Sequence, residues 1–149
     1  ENGIMNGVSE TSFDADATLT RAMLVTMLYR QSGSPEVEAD GTDWYSAART
    51  WAMNNGISDG TNMNDDITRE QLATMLYRYA SSKGEIAEAT ATLDSFADNS
   101  NVSEFAAAAM KWAVEKGLIN GMGDGTLAPQ GGATRAQVAT IFMRAAGLF

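Results

Sequence analysis

Arginine follows threonine at three places where the sequence predicts that a helix begins. The pairs occupy residues 20–21, 68–69 and 134–135, and each precedes apolar residues at helical spacing. The positive end of the helix dipole lies at the helix N-terminus, where Asp or Glu is the usual choice and a cation is mildly unfavourable. Three arginines at this same position therefore require a chemical explanation.

An anion site is the chemistry that this position favours. The first N–H groups of a helix have no partner within it, and an adjacent guanidinium adds a planar fork of donors. A carboxylate or phosphate would satisfy both. We therefore interpret Arg21, Arg69 and Arg135 as candidate anion contacts. The alternative is that each arginine is solvated or pairs with a loop acid. Examples of such acids are Asp14, Asp66 and Asp124.

The threonines are predicted helix N-caps, whose hydroxyls accept a hydrogen bond from the first turn. Gln71 and Gln137, three residues after their threonines, are expected to complete capping boxes. Met23 occupies the same position in the first pair and is not expected to do so. The threonine is thus explained by helix structure, whereas the arginine is not.

Composition removes several classes of function. The 149 residues include no cysteine and no histidine, which excludes zinc sites of the usual kind, thiol nucleophiles and histidine bases. The net charge of −9 argues against a nucleic-acid partner. No apolar stretch approaches the ~20 residues that span a bilayer, so no membrane insertion is predicted. Because the chain starts at Glu1 without a signal peptide, we expect a processed chain or an excised fragment.

The acidic loops do not predict a metal site, a cofactor or an enzyme. A calcium loop that starts at Asp59 would have Met63 in its fifth position and Asn64 where the turn glycine belongs. The carboxylates are scattered over loops, and no pair stands out as the acid and base of a glycosidase. The sequence therefore favours a non-catalytic module.

The Thr-Arg pairs belong to an internal repeat. The segments NGIMNG (2–7), NGISDG (55–60) and KGLING (116–121) precede them. DWYSAARTWAMNNGI (43–57) also matches EFAAAAMKWAVEKGL (104–118). Each unit is thus an alanine-rich helix, a glycine stop, a Gly/Asp loop and a Thr-Arg helix. The first copy starts at its glycine stop and lacks the first helix.

These patterns predict an all-α protein of three repeats that form one module, since no segment has strand-like alternation. The repeats span residues 1–35 (partial), 36–84 and 85–149. The loop of repeat two is five residues shorter than those of the other two. A short helix is expected around Glu85–Ala91, in the connector before repeat three.

Aromatic residues recur near the first helix of each complete repeat. Trp51 and Trp112 lie at helical spacing beside alanines, which is typical of core residues, although an edge of either ring could line a groove and pack on a sugar. Trp44, which follows Asp43, and Phe105 lie near predicted helix starts. They are the better candidates for a groove rim.

The combined pattern closely resembles the S-layer homology family. It runs Trp-Ala-x3-Gly-Ile, then Gly-x-Gly-Asp-Gly-Thr-Leu-x-Pro, then Thr-Arg-Ala-Gln. The family's Thr-Arg-Ala-Glu segment appears here as TRAM (20–23), TREQ (68–71) and TRAQ (134–137). The best single match is GLINGMGDGTLAPQGGATRAQ (117–137), and the likeness covers the chain apart from 83–95.

The resemblance implies a pseudo-threefold pinwheel around a central three-helix bundle. It also implies an extracellular, wall-associated or S-layer-associated module that binds secondary cell-wall polysaccharide in grooves between repeats. In many members the terminal sugar carries a pyruvate ketal, whose carboxylate contacts the Thr-Arg arginine. The implied contacts are Arg21, Arg69 and Arg135 for the anion, Gly60 and Gly121 for the loop backbone, and Trp51 and Trp112 for the aromatic position, with Trp44 and Asp43 as further candidates.

Three departures from the family pattern change the expectation. The family's acid is replaced by Met23, Gln71 and Gln137. The short loop of repeat two predicts a degraded groove beside Arg69. The missing helix of repeat one leaves an apolar seam that could drive self-association. We therefore expect one or two competent sites, and the rival interpretation is a protein–protein scaffold in which the arginines are structural.

Overall fold

The computed structural model describes residues 17–39, 41–84, 86, 88–121 and 124–145. These residues form five α-helices and no β-strand, so the all-α prediction is confirmed for the described part of the chain. The helices are α1 (Arg21–Gln31), α2 (Ser46–Asn54), α3 (Arg69–Ser82), α4 (Ala107–Glu115) and α5 (Arg135–Arg144). Two 3-10 turns, Asn99–Asn101 and Glu104–Ala106, precede α4. None of the described helices is long and apolar enough to cross a membrane.

The Thr-Arg pairs begin α1, α3 and α5, as predicted. In α3 the Thr68 hydroxyl accepts from the Gln71 N–H at 3.2 Å, and the Gln71 side-chain oxygen accepts from the Thr68 N–H at 3.0 Å. Thr134 and Gln137 repeat this capping box in α5 with the same distances. The threonines therefore satisfy N–H groups that the helix cannot, which explains why the helices begin there.

The prediction that Met23 completes no capping box is wrong. The Thr20 N–H donates to the Met23 sulfur at 3.5 Å, and the Thr20 hydroxyl accepts from the Met23 N–H at 3.2 Å. A thioether sulfur is a weak acceptor, but its larger radius and flexible side chain allow it to occupy the place of the glutamine oxygen.

The aromatic helices pack against the Thr-Arg helices, α2 against α1 and α4 against α3. Trp51 of α2 is 6% exposed, and its ring centroid lies 5.7 Å from that of Tyr29 and 5.9 Å from that of Tyr79. Trp112 of α4 is 2% exposed and meets Tyr77 edge-on at 5.5 Å. These contacts favour the core interpretation of both tryptophans.

The helix expected around Glu85–Ala91 is not present at residues 86 and 88–91, the part of it that the structure describes. Glu115 of α4 accepts hydrogen bonds there from the Thr90 N–H at 2.8 Å, the Thr90 hydroxyl at 2.7 Å and the Ala91 N–H at 3.2 Å. The Glu115 carboxylate thus occupies the Thr90 and Ala91 N–H groups, which in a helix would donate to backbone carbonyls.

A closed cycle of backbone hydrogen bonds joins the segments before α1, α3 and α5. The Leu19 N–H donates to the Ala133 carbonyl at 2.8 Å, Ala133 donates to Ile67 at 3.2 Å, and Ile67 donates to Leu19 at 2.8 Å. All three side chains are buried, Leu19 and Ile67 at 1% exposure or less. The cycle brings the starts of the three helices together, while the pinwheel around a central bundle and the repeat boundaries stay predictions.

Candidate functional site

In the described part of the chain, two grooves lie between successive repeats. Groove A, of about 190 Å³, is bordered by Arg21 of repeat one and by the loop and α3 of repeat two. Its lining residues are Arg21, Ile57, Ser58, Asp59, Gln71, Thr74, Met75, Arg78 and Phe105. The ring of Phe105 is 57% exposed and comes from repeat three, which agrees with the predicted position on a groove rim.

Groove B, of about 300 Å³, repeats this arrangement one unit further along the chain. It is bordered by Arg69 of repeat two and by the loop and α5 of repeat three. Its lining residues are Arg69, Leu118, Ile119, Asn120, Gly121, Ala136, Gln137, Thr140, Ile141 and Arg144. The positions correspond: Arg21 to Arg69, Asp59 to Asn120, Gln71 to Gln137, Thr74 to Thr140, Met75 to Ile141 and Arg78 to Arg144.

The prediction of a degraded groove beside Arg69 is wrong, because Arg21 and Arg69 each face the loop of the following repeat. Arg69 lies against the long loop of repeat three, and its Nε donates to the Leu127 carbonyl at 2.8 Å. The short loop of repeat two instead borders groove A, where Nη1 of Arg21 donates to the Thr61 carbonyl at 3.3 Å. Groove A is the smaller of the two.

The backbone N–H groups expected to bind the anion are already occupied. The Arg21 N–H donates to the Asp65 carbonyl at 3.1 Å, and the next N–H of α1 donates to Met63 at 2.8 Å. In α3 the Arg69 N–H donates to Gly131 at 2.9 Å, and the following N–H donates to Pro129 at 2.9 Å. With the third N–H capped by threonine, this part of the predicted site is wrong, and the guanidinium groups remain as the donors.

Arg69 is the most deeply placed of these guanidinium groups, with a side chain that is 5% exposed. Within the described residues its two terminal nitrogens have no hydrogen-bond partner, although the residue lines groove B. Burial lowers the pKa of the guanidinium, and the charge of Asp98 partly opposes that shift. The group stays protonated at every physiological pH, since its ordinary pKa lies far above that range.

Asp98 holds the loop that Arg69 contacts. Its carboxylate accepts from the Leu127 N–H at 2.8 Å and from the Ala128 N–H at 2.9 Å. The Leu127 carbonyl is then free to accept from Arg69 on the opposite side of the peptide. Asp98 therefore positions the arginine through the loop backbone.

A second arginine in each groove was missed by the sequence analysis. Arg78 lines groove A and Arg144 lines groove B, both with exposed side chains at the far end of the Thr-Arg helix. The signal was present: Arg30, Arg78 and Arg144 each lie nine residues after a Thr-Arg arginine. Nine residues are about 2.5 turns of a helix, so the second arginine lies on the face opposite the first. In α3, Arg69 accordingly lines groove B and Arg78 lines groove A.

Asp-Gly-Thr turns shape the loops of both complete repeats. The Asp59 carboxylate accepts from the Thr61 N–H at 3.0 Å and from its hydroxyl at 2.7 Å. Asp124 and Thr126 form the same turn, with distances of 3.0 and 2.6 Å. In both turns the hydrogen bond from the threonine hydroxyl lowers the pKa of the aspartate most, and the bond from the threonine N–H lowers it further. The two carboxylates therefore stay ionised at neutral pH.

The two predicted glycines have different settings. Gly60 has φ of +77°, and its carbonyl accepts from Nε of Arg49 at 2.8 Å, so the glycine lies behind the turn. Gly121 has φ of +91° and lines groove B. A Cβ added to Gly121 would lie 2.9 Å from the Phe96 ring and from the Thr126 carbonyl, so only glycine fits this close approach.

The remaining predicted residues lie outside the linings of grooves A and B. Trp51 and Trp112 are core residues, as described above, and Trp44 is 58% exposed beside Tyr45. Asp43 accepts a backbone hydrogen bond from Ser46 at the start of α2. Arg135 is 9% exposed, and its Nε has no hydrogen-bond partner among the described residues. The predicted loop of repeat one, which includes Asp14, lies outside the described residues.

The described residues offer no grouping of three or more acidic side chains placed to hold a metal ion. The described linings of both grooves combine two guanidinium groups with amide and hydroxyl side chains and apolar walls. Such a surface can bind a carboxylate-bearing ligand by charge-assisted hydrogen bonds.

Comparison with known proteins identifies the repeat. The model of the S-layer homology domain matches residues 95–139, which include the loop of groove B and the start of α5. Exoglucanase XynX of Acetivibrio thermocellus is 32% identical over 93% of this chain, which spans 14% of that protein. Amylopullulanase of Thermoanaerobacterium thermosulfurigenes is 30% identical over 93% of this chain, which spans 8% of that protein.

S-layer homology domains are non-catalytic modules of the cell surface that bind cell-wall polymers and so anchor proteins to the wall. The matched segment, the repeated Thr-Arg helices and the relatives aligned along most of the sequence agree on one assignment. This chain belongs to the S-layer homology family.

Proposed function

We propose that this chain tethers a larger extracellular protein to the cell wall by binding an anionic secondary cell-wall polysaccharide in grooves A and B. The ligand is a terminal sugar that carries a carboxylate, such as a pyruvate ketal. The observation that carries the proposal is the pair of arginines in each groove, one at a helix start and one at a helix end. Two guanidinium groups that converge on one groove suit a carboxylate.

Electrostatics explains why the arginines must be paired. The chain has a net charge of −9, so its overall field repels an anionic polymer. Local cations have to overcome that repulsion at short range. Two grooves on one module also allow one polymer, or two neighbouring ones, to be held at two points, which raises the overall affinity above that of either groove.

The experiment is a pull-down on purified, protein-free wall polysaccharide, before and after chemical removal of its ketal groups. We expect retention of the wild-type chain and a clear loss of retention after ketal removal. Arg144→Ala, which changes an exposed side chain of groove B, should weaken retention by about tenfold, the usual effect of one charge-assisted pair. Lys111→Ala, an exposed lysine of α4 outside both grooves, is the control for the loss of one positive charge.

A protein-docking function is the second candidate, and it is favoured by exposed apolar side chains. Trp44 is 58% exposed and Met143 is 79% exposed, so both side chains offer apolar area to a partner. Self-association through such a surface would be a variant of the same function. Absence of retention on protein-free polymer, together with concentration-dependent dimers in ultracentrifugation, would favour docking over anchoring.

A further inference from the structure

Grooves A and B differ in charge at one corresponding position. The residue three places after the glycine stop is Asp59 in groove A and Asn120 in groove B, and both line their grooves. Groove A thus holds two guanidinium groups and one carboxylate. Groove B holds two guanidinium groups and a neutral amide.

The carboxylate of groove A is ionised at neutral pH, because its pKa is lowered. Asp59 is exposed, and its hydrogen bonds from Thr61 stabilise the ionised form, as do the nearby charges of Arg21 and Arg78. Each arginine that attracts an anionic ligand into groove A is therefore already close to a fixed negative charge. In groove B the corresponding loop position is the neutral Asn120. The charge of Asp98 also acts on Arg69, but Asp98 is not among the residues that line groove B.

We propose that Asp59 selects against acidic sugars in groove A, and that Asn120 makes groove B the principal site for them. The inference rests on the proposed function, since it assigns the acidic terminal sugar to one of the two grooves. Two like charges a few ångströms apart near a protein surface repel enough to change an affinity by about tenfold. The module then has one strong and one weak site for the same charged sugar.

The chain offers variants that change charge with little change in shape. Asp59→Asn keeps a side-chain oxygen that can accept from Thr61, so the turn is retained while the charge is removed. Asn120→Asp introduces the charge in groove B. Asp124→Asn is the matched control, because Asp124 forms the same turn with Thr126 but is not among the residues that line groove B.

The test is a methyl NMR titration, with the Met75 methyl group reporting groove A and the Ile141 methyl group reporting groove B. The probe is a methyl glycoside that bears a pyruvate ketal. The methyl ester of that ketal is the uncharged control ligand. In the wild-type chain, Ile141 should shift at about tenfold lower acid concentration than Met75. Asp59→Asn should bring the Met75 midpoint down to that of Ile141, and Asn120→Asp should raise the Ile141 midpoint by about tenfold. Asp124→Asn should move neither midpoint.

The outcomes distinguish a failure of this inference from a failure of the proposed anchoring function. Equal midpoints in the wild-type chain, or a Met75 midpoint that Asp59→Asn leaves in place, overturn the charge selection while the anchoring function stands. An effect of Asp59→Asn that is as large for the methyl ester as for the acid also overturns it, because the cause would then be shape. Failure of both methyl groups to respond to the acid overturns the recognition of an acidic sugar, and the inference falls with it.

Discussion

Groove A and groove B use the same positions of the repeat, yet the protein holds their helix-start arginines differently. Arg69 is 5% exposed, donates to the Leu127 carbonyl at 2.8 Å and lies against a loop fixed by Asp98. Arg21 is only partly buried, and its bond to the Thr61 carbonyl is 3.3 Å long. The repeat thus sets where each arginine lies, whereas the length of the next loop sets how firmly it is held.

The largest expected effect comes from removing the buried arginine. Arg69→Ala leaves the Leu127 carbonyl unpaired beside a new cavity, and we expect it to lower the free energy of unfolding by about 2–3 kcal/mol. Arg21→Ala should lower it by about 1 kcal/mol or less, because Arg21 is more exposed and its hydrogen bond is longer. Urea denaturation of the two variants measures both values. Equal losses would show that the two arginines are held alike.

An intermediate effect is expected at the carboxylate that fixes the loop of groove B. Asp98→Ala frees the Leu127 and Ala128 N–H groups, so both amides should exchange faster with solvent and groove B should lose affinity for the acidic glycoside by about tenfold. Groove A should be unaffected. Hydrogen exchange and the Ile141 and Met75 methyl titrations measure these effects, with the exposed Asp94→Ala as control. A loss in both grooves would mean that Asp98 supports the fold rather than groove B.

The smallest expected effect is a change of pKa in the turn of groove A. Thr61→Ala removes the hydroxyl that contributes most to lowering the pKa of Asp59, so that pKa should rise toward its ordinary value of 3.8. Because the folded-state pKa is depressed, the turn stabilises the chain above the unfolded pKa and loses that contribution as the pH falls through the folded value. Carboxyl NMR titration measures the shift. An unchanged pKa would mean that the Thr61 N–H, followed by the charges of Arg21 and Arg78, sets the pKa instead.

The starts of the three Thr-Arg helices and their threonine caps were predictable because their causes are local. Thr68 and Gln71 are three residues apart, and the periodic alanines around Trp51 indicate a buried helix face without reference to the rest of the chain. The hydrogen-bond partner of Arg69 was not predictable in this way. Its partner, Leu127, lies 58 residues along the chain, and no local pattern states which loop an arginine will face.

The same limit explains the error about the anion site. The first N–H groups of a helix are unpaired when the helix is considered alone, which is how the sequence presents it. In the folded chain, carbonyls of the following repeat, such as Asp65 and Gly131, occupy those donors. The guanidinium groups therefore carry the recognition by themselves, and Arg78 and Arg144 add to it. Their nine-residue spacing from the Thr-Arg arginines is visible in the sequence, but only the structure shows that these two side chains line the grooves.

The most direct test of the central claim follows the side chain of Arg69 itself. Its Nε–H is held by the Leu127 carbonyl in a buried setting, so its NMR resonance should be observable at neutral pH. Titration with the ketal glycoside should shift that resonance in a saturable manner, and the methyl ester should leave it in place, because only the acid pairs with the terminal nitrogens. If the resonance does not shift with the acid, or shifts equally with the ester, anchoring through this arginine is contradicted.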